Sequence, residues 1–162
     1  MSGITWGLIR AVRLQRKLSY RLNALNRVHW GNDFVVGPRA RTARRASLRA
    51  GDRVNIGSDF SNHCDVSIGD DVMISSCVSV ISDDHPFDGS SRTIQDFPPR
   101  GVSSVVLEGD NLIGYGTIII GPVRIGRGAI IGAGSLVTRD VPEDAVAYGR
   151  PAVARRQRRP RQ

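Results

Sequence analysis

The sequence predicts an all-β solenoid, a parallel β-helix of short strands, with a helical segment before it. Two observations carry this. An aliphatic residue recurs every six positions: Ile56, Asn62, Ile68, Ile74 and Val80, and after a break Leu107, Ile113, Ile119, Ile125, Ile131 and Val137, with Asn62 the polar exception. Glycine often follows it, as in "IGSD", "IGDD", "IGYG", "IGRG" and "IGAG".

Neither the helical period of about 3.6 nor the strand period of about 2 sustains a period of six. A short strand that turns a corner every six residues does. Three strands close one triangular coil, so about 18 residues return the chain to its starting face, and coils stack at the sheet spacing of about 4.8 Å. Ile56 should then lie against Ile74, and Ile113 against Ile131. Four positions further along each hexad stand Phe60, Val66, Val72, Val78, Thr117, Val123, Ala129, Ser135 and Val141, residues for the corners, where glycine permits the backbone angles.

Residues 3–28 read differently. Leu8, Val12, Leu14, Leu18, Leu22 and Leu25 fall at helical spacing with Arg and Lys between them. This predicts one amphipathic helix, or two short ones, packed on the open end of the solenoid and covering its edge. The alternative is a helix that lies on a membrane surface. The expected organisation is a helical segment and lead-in over 1–49, the β-helix over 50–154 with a loop at 86–104, and a basic tail at 155–162.

Composition narrows the function. The 162 residues suit one domain, and with 6% aromatics its core must be aliphatic. No apolar run reaches the roughly 18 residues of a membrane-spanning helix, and the first 30 residues lack a signal peptide's apolar segment. Cys64 and Cys77 suit small buried or edge positions rather than a disulfide framework. These features point to a cytoplasmic protein, with the inner face of a membrane as the variant of that reading. The net charge of +8 favours anionic partners. Aromatics are not interleaved with the arginines and no nucleic-acid-binding motif is present, so no nucleic-acid partner is expected.

The repeat stops at "VISDDHPFDGSS", residues 80–91. A long loop in a repetitive scaffold is usually functional or disordered. His85 ends the last hexad before the loop, Pro86 stiffens the exit, and Phe87, Ile94 and Phe97 give the loop apolar surface. An imidazole titrates near pH 6.5 and accepts a proton at neutral pH. Asp83, Asp84 or a backbone carbonyl can orient it.

The hexads, "DDHPFDG" and the following "VVLEGDNLIGYGTIIIGPVRIGRGAIIGAGSLVTRDVPEDAVAYGRPA" resemble the hexapeptide-repeat acyltransferases, most closely the galactoside, maltose and polysaccharide O-acetyltransferases. The resemblance spans residues 50–156. It implies a left-handed β-helix, a hand that the spacing alone does not give. It implies a general-base histidine at His85 that deprotonates a sugar hydroxyl for attack on acetyl-CoA, and no metal. It places Asn55 at the acceptor, where the reading without the resemblance is a corner asparagine in left-handed geometry. His63 stands where the family often has an acidic acceptor ligand. Tyr115, Ala133, Thr138, Arg139 and Arg156 match positions along the donor; the plain alternatives are corner packing for Ala133 and solvated surface for the arginines. Val153 replaces a family arginine, with Arg155 a candidate substitute. The resemblance also implies a homotrimer with active sites between subunits.

Three other readings compete. The acceptor could be an amino sugar, an antibiotic or a serine-like molecule. A zinc carbonic anhydrase of the same shape needs three converging histidines, but His63 and His85 sit on different steps of the hexad and His29 precedes the repeat. A non-enzymatic basic β-helical binding module needs no histidine-bearing loop.

Overall fold

The computed structural model describes residues 3–23, 27–82, 93, 101 and 103–158. Helix α1 (Gly3–Asn23) precedes five coils of three strands each. The first coil holds β1 (Val28–Trp30), β2 (Val35–Val36) and β3 (Arg41–Thr42). The second holds β4 (Leu48–Ala50), β5 (Asn55–Ile56) and β6 (Ser61–Asn62). The third holds β7 (Asp65–Ile68), β8 (Met73–Ile74) and β9 (Ser79–Ile81). The fourth holds β10 (Ser104–Leu107), β11 (Leu112–Ile113) and β12 (Ile118–Ile120), and the fifth β13 (Val123–Ile125), β14 (Ile130–Ile131) and β15 (Leu136–Val137). A closing hairpin of β16 (Ala145–Gly149) and β17 (Ala152–Gln157) follows.

Each coil contributes one strand to each of three parallel sheets, the faces of the prism. Face A runs β1-β4-β7-β10-β13, face B β2-β5-β8-β11-β14-β16-β17, and face C β3-β6-β9-β12-β15. Ile56 pairs with Ile74, and Ile113 with Ile131, the stacking that the hexads predict. All eleven residues of the hexad series are buried, and so are the nine corner-step residues from Phe60 to Val141. The polar member, Asn62, is satisfied inside: its Nδ2 donates to the Ser47 carbonyl at 3.0 Å and its Oδ1 accepts the Cys64 amide at 3.2 Å.

The helix seals the N-terminal end. Tyr20 is buried, and its hydroxyl bonds Thr42 Oγ1 at 2.7 Å. Desolvation pushes the Tyr20 phenol up to about 12. Phe34 is fully buried and stacks on Trp30 at 5.0 Å, with Lys17 Nζ 6.0 Å from its ring and the Arg21 guanidinium 5.9 Å from the Trp30 ring. Among the described residues no helix is long and apolar enough to cross a membrane.

The first coil begins at Val28, inside the expected lead-in. Its partners, such as Val28↔Leu48 and Val35↔Asn55, are spaced more widely in sequence than Ile56↔Ile74. The cause is a turn, closed by the Ala46 amide on the Ala43 carbonyl, that adds Arg44 and Arg45. At the other end β17 runs through Arg155 and Arg156 to Gln157, since it pairs antiparallel with β16. Arg158 then bonds Asp110 at 2.9 Å, which ties the chain end to an earlier coil.

Candidate active site

Among the described residues, the lengthened turns of the coil fall on one edge, where face C passes into face A. The Arg44–Arg45 turn lies there in the first coil. In the third coil a long stretch of chain separates Ile81 from Val105, whereas only Gly121 and Pro122 separate their partners Ile120 and Val123 one coil on. The interruption is therefore an insertion into this edge. Its feet are joined: the Ser103 amide donates to Ser82 Oγ at 3.4 Å, the two hydroxyls lie 3.3 Å apart, and the Ser103 carbonyl accepts the Asp65 amide at 3.1 Å. Asp83, Asp84 and His85, within the insertion, lie outside the described residues.

The same edge holds other candidates. Asn62, Val80, Ile119 and Val137 form one ladder column. The next residues in sequence are His63, Ile81, Ile120 and Thr138, so His63 lies below the start of the insertion and Thr138 above it. His63, Thr138 and Arg139 are exposed.

The opposite edge of face C, shared with face B, is regular. Its turns take positive φ at Arg39, Asp59, Cys77, Gly116 and Gly134, with values from 57° to 68°. A non-glycine residue there needs a reason. At the lower two turns Arg39 and Asp59 form a two-bond ion pair, both contacts 2.7 Å, which links successive coils. Above them a hydrogen bond to Cys77 pushes the Tyr115 phenol above its ordinary value. Gly134 donates its amide to the Tyr115 carbonyl at 2.7 Å, so Ala133 stands one coil above Tyr115. A Cβ on Gly114 would lie 2.5 Å from the Ala133 amide nitrogen, so only glycine lets these coils approach.

Beside this edge, an open depression of ≈ 390 Å³ is lined by Asn55, Gly57, Met73, Ile74, Ser75, Ser76 and Tyr115. Asn55 is in strand β5 with its side chain outward, not in a left-handed turn. Its outward column continues through Met73, Leu112, Ile130 and Val146. Met73, Leu112 and Tyr115 are large apolar or aromatic side chains left exposed. Arg156 pairs with Val146 on the last strand of the same face, and Arg155 lies 5.8 Å from the Tyr148 ring.

The fold thus gathers Asn55, Tyr115 and Ala133 along one edge of face C, with Arg156 at the end of the adjoining face B. His63, Thr138 and Arg139 lie along the other edge. Ser75, Ser76 and Arg150 join the candidates only in the fold. The serines follow a hexad isoleucine and carry no mark of their own. Arg150 Nη1 donates to the Gly134 carbonyl at 3.2 Å and so tops the Tyr115 edge, but its position in sequence falls off the coil count.

Of the cysteines, Cys64 is buried and desolvation pushes its thiol up to about 11, while Cys77 is half-buried at its corner. Among the described residues no three His, Cys, Asp or Glu side chains gather as a metal site.

Comparisons with known proteins agree with this fold. The family described as bacterial transferase hexapeptide (six repeats) matches residues 104–139. A galactoside O-acetyltransferase of Lactococcus lactis subsp. lactis is 33% identical over 105 residues, 63% of this chain and 48% of that protein. A 2,3,4,5-tetrahydropyridine-2,6-dicarboxylate N-acetyltransferase of Staphylococcus aureus is 50% identical over 54 residues, 33% of this chain and 23% of that protein. The chain therefore spans about half the length of the first relative and under a quarter of the second. Among solved structures, a hexapeptide-repeat acetyltransferase of Vibrio cholerae O1 biovar eltor, complexed with acetyl coenzyme A, superposes with a TM-score of 0.68 at 23% identity. That match covers 91% of this chain and 78% of the other.

Proposed function

We propose that this chain, whose residues 104–139 match the bacterial transferase hexapeptide family, moves an acetyl group from acetyl-CoA to a hydroxyl of a sugar or polysaccharide precursor. The observation that carries this reading is the division of the candidate residues between the two edges of face C. Residues on opposite edges of one prism do not close a single site. In a homotrimer of prisms, the insertion-bearing edge of one copy meets the Tyr115–Ala133 edge of its neighbour. The exposed column of Met73 and Leu112, with Tyr115 beside it, supports burial between copies.

In this reading His85 is the general base. Its imidazole takes the proton of the acceptor hydroxyl as that oxygen attacks the thioester carbonyl carbon. A backbone N–H stabilises the tetrahedral oxyanion. The C–S bond then breaks, and the CoA sulfur leaves with the proton returned by the imidazolium. Asp83 or Asp84 holds the ring in the productive tautomer. Asn55 and His63 position the acceptor. Tyr115, Ala133 and Thr138 line the pantetheine arm, and Arg139 and Arg156 face the donor's phosphates, where a guanidinium makes charge-assisted hydrogen bonds. An acetyl-CoA donor implies work on the cytoplasmic side.

One observation favours a second reading, transfer to an amine: the N-acetyltransferase relative, half identical over its short matched span. A single experiment separates the two. Acetyl-CoA is mixed with a panel of saccharides and amino sugars, thiol release is followed, and the product is treated with mild alkali. An alkali-labile ester supports O-acetyl transfer, an alkali-stable amide supports the second reading, and no acceptor-dependent thiol release contradicts both.

A further inference from the structure

The outward face of helix α1 is not explained by sealing the prism. Its inner face meets the first coil through Tyr20 and a half-buried Val12. Leu14, Leu18 and Leu22, one turn apart, point away and are 68%, 58% and 63% exposed. Three leucines in line on the solvent side of a helix are costly in water unless something covers them.

The charge around this stripe identifies the occupant. Residues 1–50 contain eleven Lys and Arg and a single acidic residue, Asp33. The rest of the chain contains twelve Lys and Arg and fourteen Asp and Glu, so the positive balance belongs to this end. Beside the stripe, a cleft of ≈ 600 Å³ between helix and first coil is lined by Arg10, Arg13, Leu14, Lys17, Asp33, Phe34 and Val35. Three cations and one carboxylate thus border an opening at the edge of an apolar stripe. Arg44 and Arg45, exposed on the turn that enlarges the first coil, add charge on the same end.

We propose that this end of the prism docks on an anionic lipid bilayer, with Leu14, Leu18 and Leu22 in the acyl boundary and phosphate headgroups in the Arg10–Arg13–Lys17 cleft. Apolar side chains on one flank and cations on the other are what an interfacial helix needs. A nucleic acid would engage the arginines and leave the leucines in water. A second copy would cover the leucines but bring the two positive ends together. The proposal does not depend on the transferase reading, since the helix packs on the first coil and the candidate site starts at the second.

The test uses the full chain and sedimentation with vesicles of phosphatidylcholine plus phosphatidylglycerol, against vesicles of phosphatidylcholine alone. Binding should require the anionic lipid. The variant Leu14→Gln/Leu18→Gln/Leu22→Gln keeps helix propensity on an exposed face, and its affinity should fall about tenfold or more. The variant Arg10→Gln/Arg13→Gln should lose affinity for the anionic vesicles while keeping the parent's melting curve. Solution mass should be the same for all three proteins. Failure to bind anionic vesicles, or equal binding by the leucine variant, overturns the proposal. A lower solution mass of the leucine variant assigns the stripe to a second copy and also overturns it. So does binding that a DNA duplex competes away and the leucine variant retains, which assigns the charge to nucleic acid.

Discussion

The Gly134 amide donates to the Tyr115 carbonyl at 2.7 Å, which fixes Ala133 one coil above Tyr115 on a regular edge of the prism. That contact makes a continuous strip from the Asn55 depression toward the C-terminal coils, and it gives the proposed donor track its direction. Gly114 brings the coils so close that a Cβ there would overlap the Ala133 backbone.

Ala133→Leu should therefore obstruct the donor without harming the fold, since Ala133 is exposed. The KM for acetyl-CoA should rise about tenfold or more, the scale of a misplaced side chain in a shaped site. Steady-state kinetics with a saturating acceptor checks this; an unchanged KM removes Ala133 from the donor track.

His85→Ala should lower turnover by about 10²–10⁴-fold, the usual contribution of a positioned base. Solution mass and melting temperature should stay at the parent values. Near-native turnover would take His85 out of the mechanism.

Tyr20→Phe removes a hydroxyl whose partner, Thr42, is itself buried. Leaving Thr42 Oγ1 unpaired should cost about 1–2 kcal/mol. A thermal melt should fall by about 2–8 °C. A change within error would show that the helix is not held by this contact.

Acid should loosen the stacked corners in a defined window. A hydrogen bond from Arg39 holds the Asp59 carboxyl below its ordinary 3.8, and one from Arg124 holds Glu108 below its ordinary 4.5. Groups whose folded pKa is depressed contribute stability above their unfolded values and lose it as pH falls through the folded ones. The melting temperature should thus be insensitive to these pairs above about pH 5 and decline below about pH 4. Both pairs are exposed, so added salt should shrink the acid-side decline. A melting temperature that rises below pH 4 contradicts the assignment.

What was legible in the sequence follows from what a period can encode. Ile56, Ile74, Ile113 and Ile131 announce the coil because the chain returns to one face once per coil, and inward residues must be apolar. The same count puts Ala133 over Tyr115. The first coil reads only as a lead-in because Arg44 and Arg45 lengthen it, and a lengthened coil loses the hexad signature. The closing strand β17 escaped because it pairs antiparallel and follows no hexad. The split of the candidates between two edges was hidden for another reason. Asn55 and His63 are near neighbours in sequence, yet a corner lies between them, and only the folded coil shows which residues share an edge.

The central claim is a shaped site for acetyl-CoA on this β-helix, and calorimetric titration of the protein with acetyl-CoA at low and at moderate salt tests it most directly. A pocket that grips the pantetheine as well as the phosphates should give saturable binding, about one molecule per chain, at both salt concentrations. Absent binding, or heat that vanishes as salt rises, would contradict it and leave a basic β-helix that attracts anions by charge alone.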